Sequence, residues 1–117
     1  ATGRALLARM PDDKVCRLYD GHSELADLRK ALRVIHEQGF AISSQESAPG
    51  VDAIAIAVGD PKTSENLSLC IVYPHGHVDH HERGAITAAL ADHAAQIAAE
   101  LGDTHFVAPK TQQKEIP

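Results

Sequence analysis

At 117 residues, 44% of them apolar but only 3% aromatic, the chain suffices for one packed domain and is too short for most multi-part enzymes. A net charge of −5 argues against this segment gripping a nucleic-acid backbone by itself, which takes a surplus of Lys and Arg. Cys16 and Cys70 lack metal-ligand spacing and suit a reduced, cytoplasmic protein, and no apolar run is long enough to cross a bilayer, so no membrane partner is expected.

The opening Ala1-Thr2-Gly3-Arg4, with neither initiator Met nor leader, reads as the start of a trimmed or partial chain. Thr2 suits the N-cap of a short helix over Arg4–Met10. Pro11 at N1 and Asp12–Asp13 in a first turn begin a second helix, through Leu18 or Tyr19, which Asp20-Gly21 breaks. Ser23 caps a longer helix to Gln38, with Leu25, Leu28, Leu32 and Ile35 on one stripe, and Gly39 stops it. Three strands follow, Phe40–Glu46, Val51–Val58 and Leu67–Tyr73, with Ser47-Ala48-Pro49-Gly50 and Gly59-Asp60-Pro61-Lys62 as turn signals between them. Links this short favour antiparallel hairpins. A last helix over Arg83–Leu101 carries Ile86, Leu90, Ala94, Ile97 and Leu101 on one side, and Gly102 ends it. From Asp103 the polar composition, with Pro109 and Pro117, predicts a frayed tail. The organisation is thus a domain over 1–102 and a flexible tail over 103–117. Its element order α-α-β-β-β-α describes an antiparallel sheet packed by helices, an α+β fold.

Alternation divides the strands into two faces. Ile54, Ile56 and Val58 with Leu69, Ile71 and Tyr73 make a bulky face that must be core. Ala53, Ala55 and Ala57 with Ser68, Cys70 and Val72 make a face of mostly small residues, with Ser43 on the same side, which leaves room for a ligand.

Three blocks carry a family likeness: TGRALLA at Thr2–Ala8, LRVIHEQGFAISSQESAPGVDAIAIAV at Leu32–Val58, and the final strand, Pro74 and Ala-rich helix ending in Leu101-Gly102. In this order they resemble the C-terminal effector-binding domain of IclR-family transcriptional regulators. The resemblance implies a GAF- or profilin-like fold and a sensor whose winged helix-turn-helix lies outside these residues. It also implies assembly as a homodimer or homotetramer, with operator DNA bound only through that other domain. No cofactor is implied, and no catalysis. Family members hold small organic acids or aromatic metabolites on one side of the sheet. Carried over by position, the implied effector contacts are Ala1, Thr2, Gly3, Ser43, Val51, Ala53, Cys70 and Val72. Members that take short keto acids place acidic or hydroxyl groups where this chain has Ser43, Ala53 and Val72, so either a larger or more apolar effector or a pocket that has lost its ligand is implied. The Tyr19–Ser23 link is also shorter than usual, which takes away part of the pocket rim.

The strongest competing signal is His75-Gly-His77-Val-Asp79-His80, an H-x-H-x-D-H run that looks like the metal motif of the metallo-β-lactamase fold and would make the chain a metal-dependent hydrolase. That fold is about twice as large and draws ligands from distant loops, so the run reads better as the loop into the last helix, with Asp79 its cap. A third reading is an oligomerisation module that binds no ligand. Cys70 on a strand suits an inert small hydrophobe. Ser43 and Ser44 lack a Ser-His-acid set, Glu46 suits anchoring the turn, and Arg4 suits either a ligand carboxylate or solvent.

Overall fold

A computed structural model describes residues 1–46 and 48–109. The elements are helices α1 (Thr2–Leu7), α2 (Asp12–Leu18) and α3 (Leu25–Gln38), strands β1 (Ala41–Ser44), β2 (Val51–Asp60) and β3 (Glu65–Pro74), and helix α4 (His80–Leu101). The strands form one antiparallel sheet in the order β1-β2-β3. The α+β class read from the sequence is that of the structure, but the order α-α-β-β-β-α counts two helices ahead of the sheet where the structure has three, because α1 and α2 are separate short helices broken at Pro11.

The bulky face of the sheet packs on α4. Ile54, Ile56, Val58 and Tyr73 are buried there with Leu90, Ala94 and Ala98. Thr87, also buried, returns its hydroxyl to the carbonyl of Arg83 at 2.8 Å, so the helix carries a polar residue inward without leaving a donor unmet. The opposite face is covered in part by α1, whose Ala5 is buried against Ala41 and Ala55. Alanine on both sides lets helix and sheet approach closely. Val15 of α2 and Leu32 and Ile35 of α3 complete this second core.

Several boundaries differ from the sequence reading, each for a local reason. α4 begins at His80 because Asp79 and Glu82 form a capping box: the Glu82 N–H donates to Asp79 Oδ1 at 2.7 Å and the Asp79 N–H to Glu82 Oε1 at 3.2 Å. β1 stops at Ser44 because Gln45 takes a positive φ of 54°, and its Oε1 then accepts from the Gly50 N–H at 3.0 Å. Gln45, not Glu46, thus anchors that turn; Ser47 lies outside the described residues. β2 runs on through Gly59-Asp60, and the reversal falls at 61–64, where Asp60 Oδ1 accepts from the Lys62 N–H at 2.9 Å. α1 has Ala1, not Thr2, at its N-cap, and α3 has Glu24, not Ser23; neither has a side-chain cap. Gly39 does end α3, in the left-handed region with φ 89° and its N–H on the Ile35 carbonyl at 2.8 Å.

Residues 103–109 are not a frayed end. Asp103, with only 2% of its side chain exposed, accepts from Arg9 Nη2 at 2.9 Å, from the Gly59 N–H at 2.9 Å and from the His105 N–H at 3.1 Å. Phe106 packs on the α4 core, and Pro109 is buried beside Gly39. The rest of the expected tail, 110–117, lies outside the described residues.

Candidate functional site

The antiparallel register aligns the small side chains in rows. Ser43 of β1 faces Ala53 of β2, and Ala53 faces Val72 of β3; in the next row Ala41 faces Ala55 and Ala55 faces Cys70. Because successive residues alternate sides, these six share one face, the face that carries α1. Ser43 is 4% exposed and Ala53 half-buried, whereas Cys70 is exposed and Val72 is 61% exposed. The rows form a shelf, closed at β1 and open to solvent at β3. Ala1 lies near Cys70, and Thr2 and Gly3 are exposed at the same end of α1. Val51 is half-buried where β2 begins.

Arg4 of α1 and Glu46 form an ion pair that ties the helix to the turn after β1. Sequence alone left Arg4 to a ligand or to solvent; the pairing joins residues 42 positions apart, and no local pattern announces it.

Among the cavities beside α1, two lie nearest the sheet or the helix's amino end. One, about 670 Å³, opens between α1 and α3 and takes in Ala1, Gly3, Arg4, Tyr19, Leu28 and Glu46. The other, about 340 Å³, lies at the carboxyl end of α1, with Ala55 and Ala57 as its floor, Ala8, Ile35 and Phe40 as walls, and Arg9, His36 and His105 at its edge. Neither lining includes Ser43, Ala53, Cys70 or Val72. The second cavity has the size of a small-ligand site and is mostly apolar. Ala55 and Ala57 on the small face are its sequence signal; its other walls come from distant segments.

The Asp103 carboxyl beside this cavity is held below its usual range. Burial pushes it up, but hydrogen bonds from Arg9 and from the Gly59 and His105 N–H groups, with the Arg9 charge, outweigh that.

The His-rich loop does not converge. His75 Nδ1 sits 3.0 Å from both Asp52 carboxylate oxygens, His80 Nδ1 is bonded to Arg83, and Asp79 is taken up by its cap. Among the described residues no three His, Cys, Asp or Glu side chains gather as a metal site. The Asp52 carboxyl is also held below its usual range: burial opposes this, and hydrogen bonds with His75 and Ser44 outweigh it.

Residues 1–99 match the family model of the bacterial transcriptional regulator IclR C-terminal region. The chain belongs to the IclR family. No curated protein matches it, but solved structures do. It is similar to the C-terminal domain of the Escherichia coli transcriptional regulator KdgR, at 25% identity and a TM-score of 0.75 over 87% of this chain and 68% of that one. It is also similar to an IclR transcriptional regulator from Alicyclobacillus acidocaldarius, at 24% identity and a TM-score of 0.72 over 85% of this chain and 44% of that one. The Agobacterium tumefaciens repressor BlcR shares the fold at 18% identity and a TM-score of 0.74, over 87% of this chain and 46% of that one. The IclR-type domain described here thus spans less than half the length of the last two. No helix among the described residues is long and apolar enough to cross a membrane.

Proposed function

We propose that this IclR-type domain is a small-molecule sensor, and that its ligand modulates operator binding by a winged-helix domain outside these 117 residues. On this reading the chain is not an enzyme and acts in the cytoplasm as part of a homodimer or homotetramer. The observation that supports it is the shelf of small side chains, Ser43-Ala53-Val72 beside Ala41-Ala55-Cys70, with α1 lying across it. A small organic or aromatic acid would lay its apolar body on Ala53, Val72 and Cys70. Ser43 and the backbone at Ala1, Thr2, Gly3 and Val51 would supply its polar contacts. Coupling to DNA requires that the ligand prefer one domain arrangement, and a tenfold shift needs about 1.4 kcal/mol of preference, within reach of one or two hydrogen bonds.

Thermal shift and calorimetry against a panel of carboxylic and aromatic acids test this. At least one acid should raise the melting temperature, and Ala53→Phe, which fills the shelf, should abolish the rise. No response to any of them, in the chain or in a longer form carrying a winged helix, overturns the reading.

A further inference from the structure

The segment after α4 helps to wall the cavity at the carboxyl end of α1. The family model matches residues 1–99, so 103–109 lie past the matched stretch. They are nonetheless pinned at three points. Asp103 is bonded to Arg9 and to the Gly59 N–H, Phe106 packs on the α4 core, and Pro109 lies against Gly39. Between these points Phe106 joins the bulky-face core, while its neighbours His105 and Val107 line the cavity over the small face.

At about 340 Å³ the cavity falls within the range of small-molecule sites, roughly 300–1,000 Å³. The methyl groups of Ala55 and Ala57 leave that room, and Ile35, Phe40 and Val107 make the surround apolar. Arg9 borders it together with two imidazoles, His36 and His105. Arg9 is only 17% exposed and always charged. One Nη2 N–H goes to Asp103, and its Nε and Nη1 have no partner among the described residues. Asp103 balances the charge of Arg9, but three donors already occupy its carboxylate. The guanidinium therefore keeps donors to spare at the rim of an apolar space. A planar fork of N–H groups in such a place suits a carboxylate.

We propose that this cavity is a second small-molecule site, taking a carboxylate with a compact apolar body. The body would lie on Ala55 and Ala57 and the carboxylate on Arg9, with His36 and His105 beside it. The site is separate from the shelf used in the sensor reading and does not rest on it. Ala55 touches both, but Ser43, Ala53, Cys70 and Val72 do not line the cavity, and Ala5 is buried against Ala41 and Ala55.

Titration of the 117-residue chain with 2-naphthoate, followed by the probe's own fluorescence, tests this. The chain should bind one equivalent saturably, and Ala53→Phe, which fills the shelf, should leave that binding in place. Ala57→Leu, which fills the cavity floor, should weaken it about tenfold or more. Should that variant lose its circular dichroism, Ala8→Leu blocks the cavity from the half-buried end of α1. The neutral 2-naphthamide should bind about tenfold more weakly, since it gives up a charge-assisted pairing with Arg9. Amide resonances at 55, 57 and 105–107 should move with the probe. An absence of binding, binding indifferent to both cavity variants, or equal affinity for the amide overturns the proposal. Loss of binding in Ala53→Phe alone also overturns it, by placing the probe on the shelf, and leaves the sensor reading standing.

Discussion

Asp103→Ala should be among the most damaging single changes available to this domain. The carboxylate accepts three hydrogen bonds while almost wholly withdrawn from solvent. Its loss leaves the buried Gly59 N–H without an acceptor and strips Arg9, only 17% exposed, of its counter-charge. An unmet buried N–H costs about 1–3 kcal/mol and breaking a buried pair about 3–5, while Arg9 recovers part of this by reaching water; about 3 kcal/mol is the expected sum. In a domain of this size that lowers the melting temperature by roughly 10 °C. Urea unfolding followed by circular dichroism would show the midpoint fall with the slope unchanged. The pH dependence carries a sign. The folded carboxyl titrates below its unfolded value, so its contribution is whole above about pH 4 and fades as pH falls toward the folded pKa. Wild type should therefore lose stability on acidification more steeply than Asp103→Asn does. A loss under about 1 kcal/mol for Asp103→Ala, or parallel acid profiles, would show that the segment after α4 is not part of the cooperative fold.

Gly39→Ala tests the same segment from its far end. The new Cβ would lie 2.9 Å from Pro109 Cα and 3.0 Å from the Val107 carbonyl oxygen, at a φ of 89°. A loss of about 2 kcal/mol or more is expected, with faster hydrogen exchange at 105–108. Asp79→Ala removes half of the α4 capping box and should cost about 1 kcal/mol in a thermal melt, most of it restored by Asp79→Ser.

What sequence reveals here is set by range. The alternation through Val51–Val58 and Leu67–Tyr73 marks both faces of the sheet because burial imposes it residue by residue. Asp79 as a cap is equally local, three positions from its partner Glu82. Asp103 was legible only as a polar residue after a helix stop, since its partner Arg9 is 94 positions away. The same limit applies to Arg4 and Glu46 and to the walls of the cavity at the end of α1. For the small-residue face, composition shows that something fits closely against it; only the coordinates show that Ala5 takes the middle and leaves the β3 side bare. The His-rich run misleads for a related reason: spacing brings imidazoles close in sequence, but Asp52 and Arg83 draw them in different directions.

α1 is a rigid stub of about 9 Å, clamped near both ends. At the front Arg4 grips the turn after β1; just past the rear, Arg9 is moored to the carboxylate that also fastens the close of β2 and the exit of α4. On the sensor reading, a ligand beneath the front would bear on a helix that is also tied at the rear. The helix on one side of the sheet and the exit of α4 on the other are thereby joined by a polar contact outside the hydrophobic core.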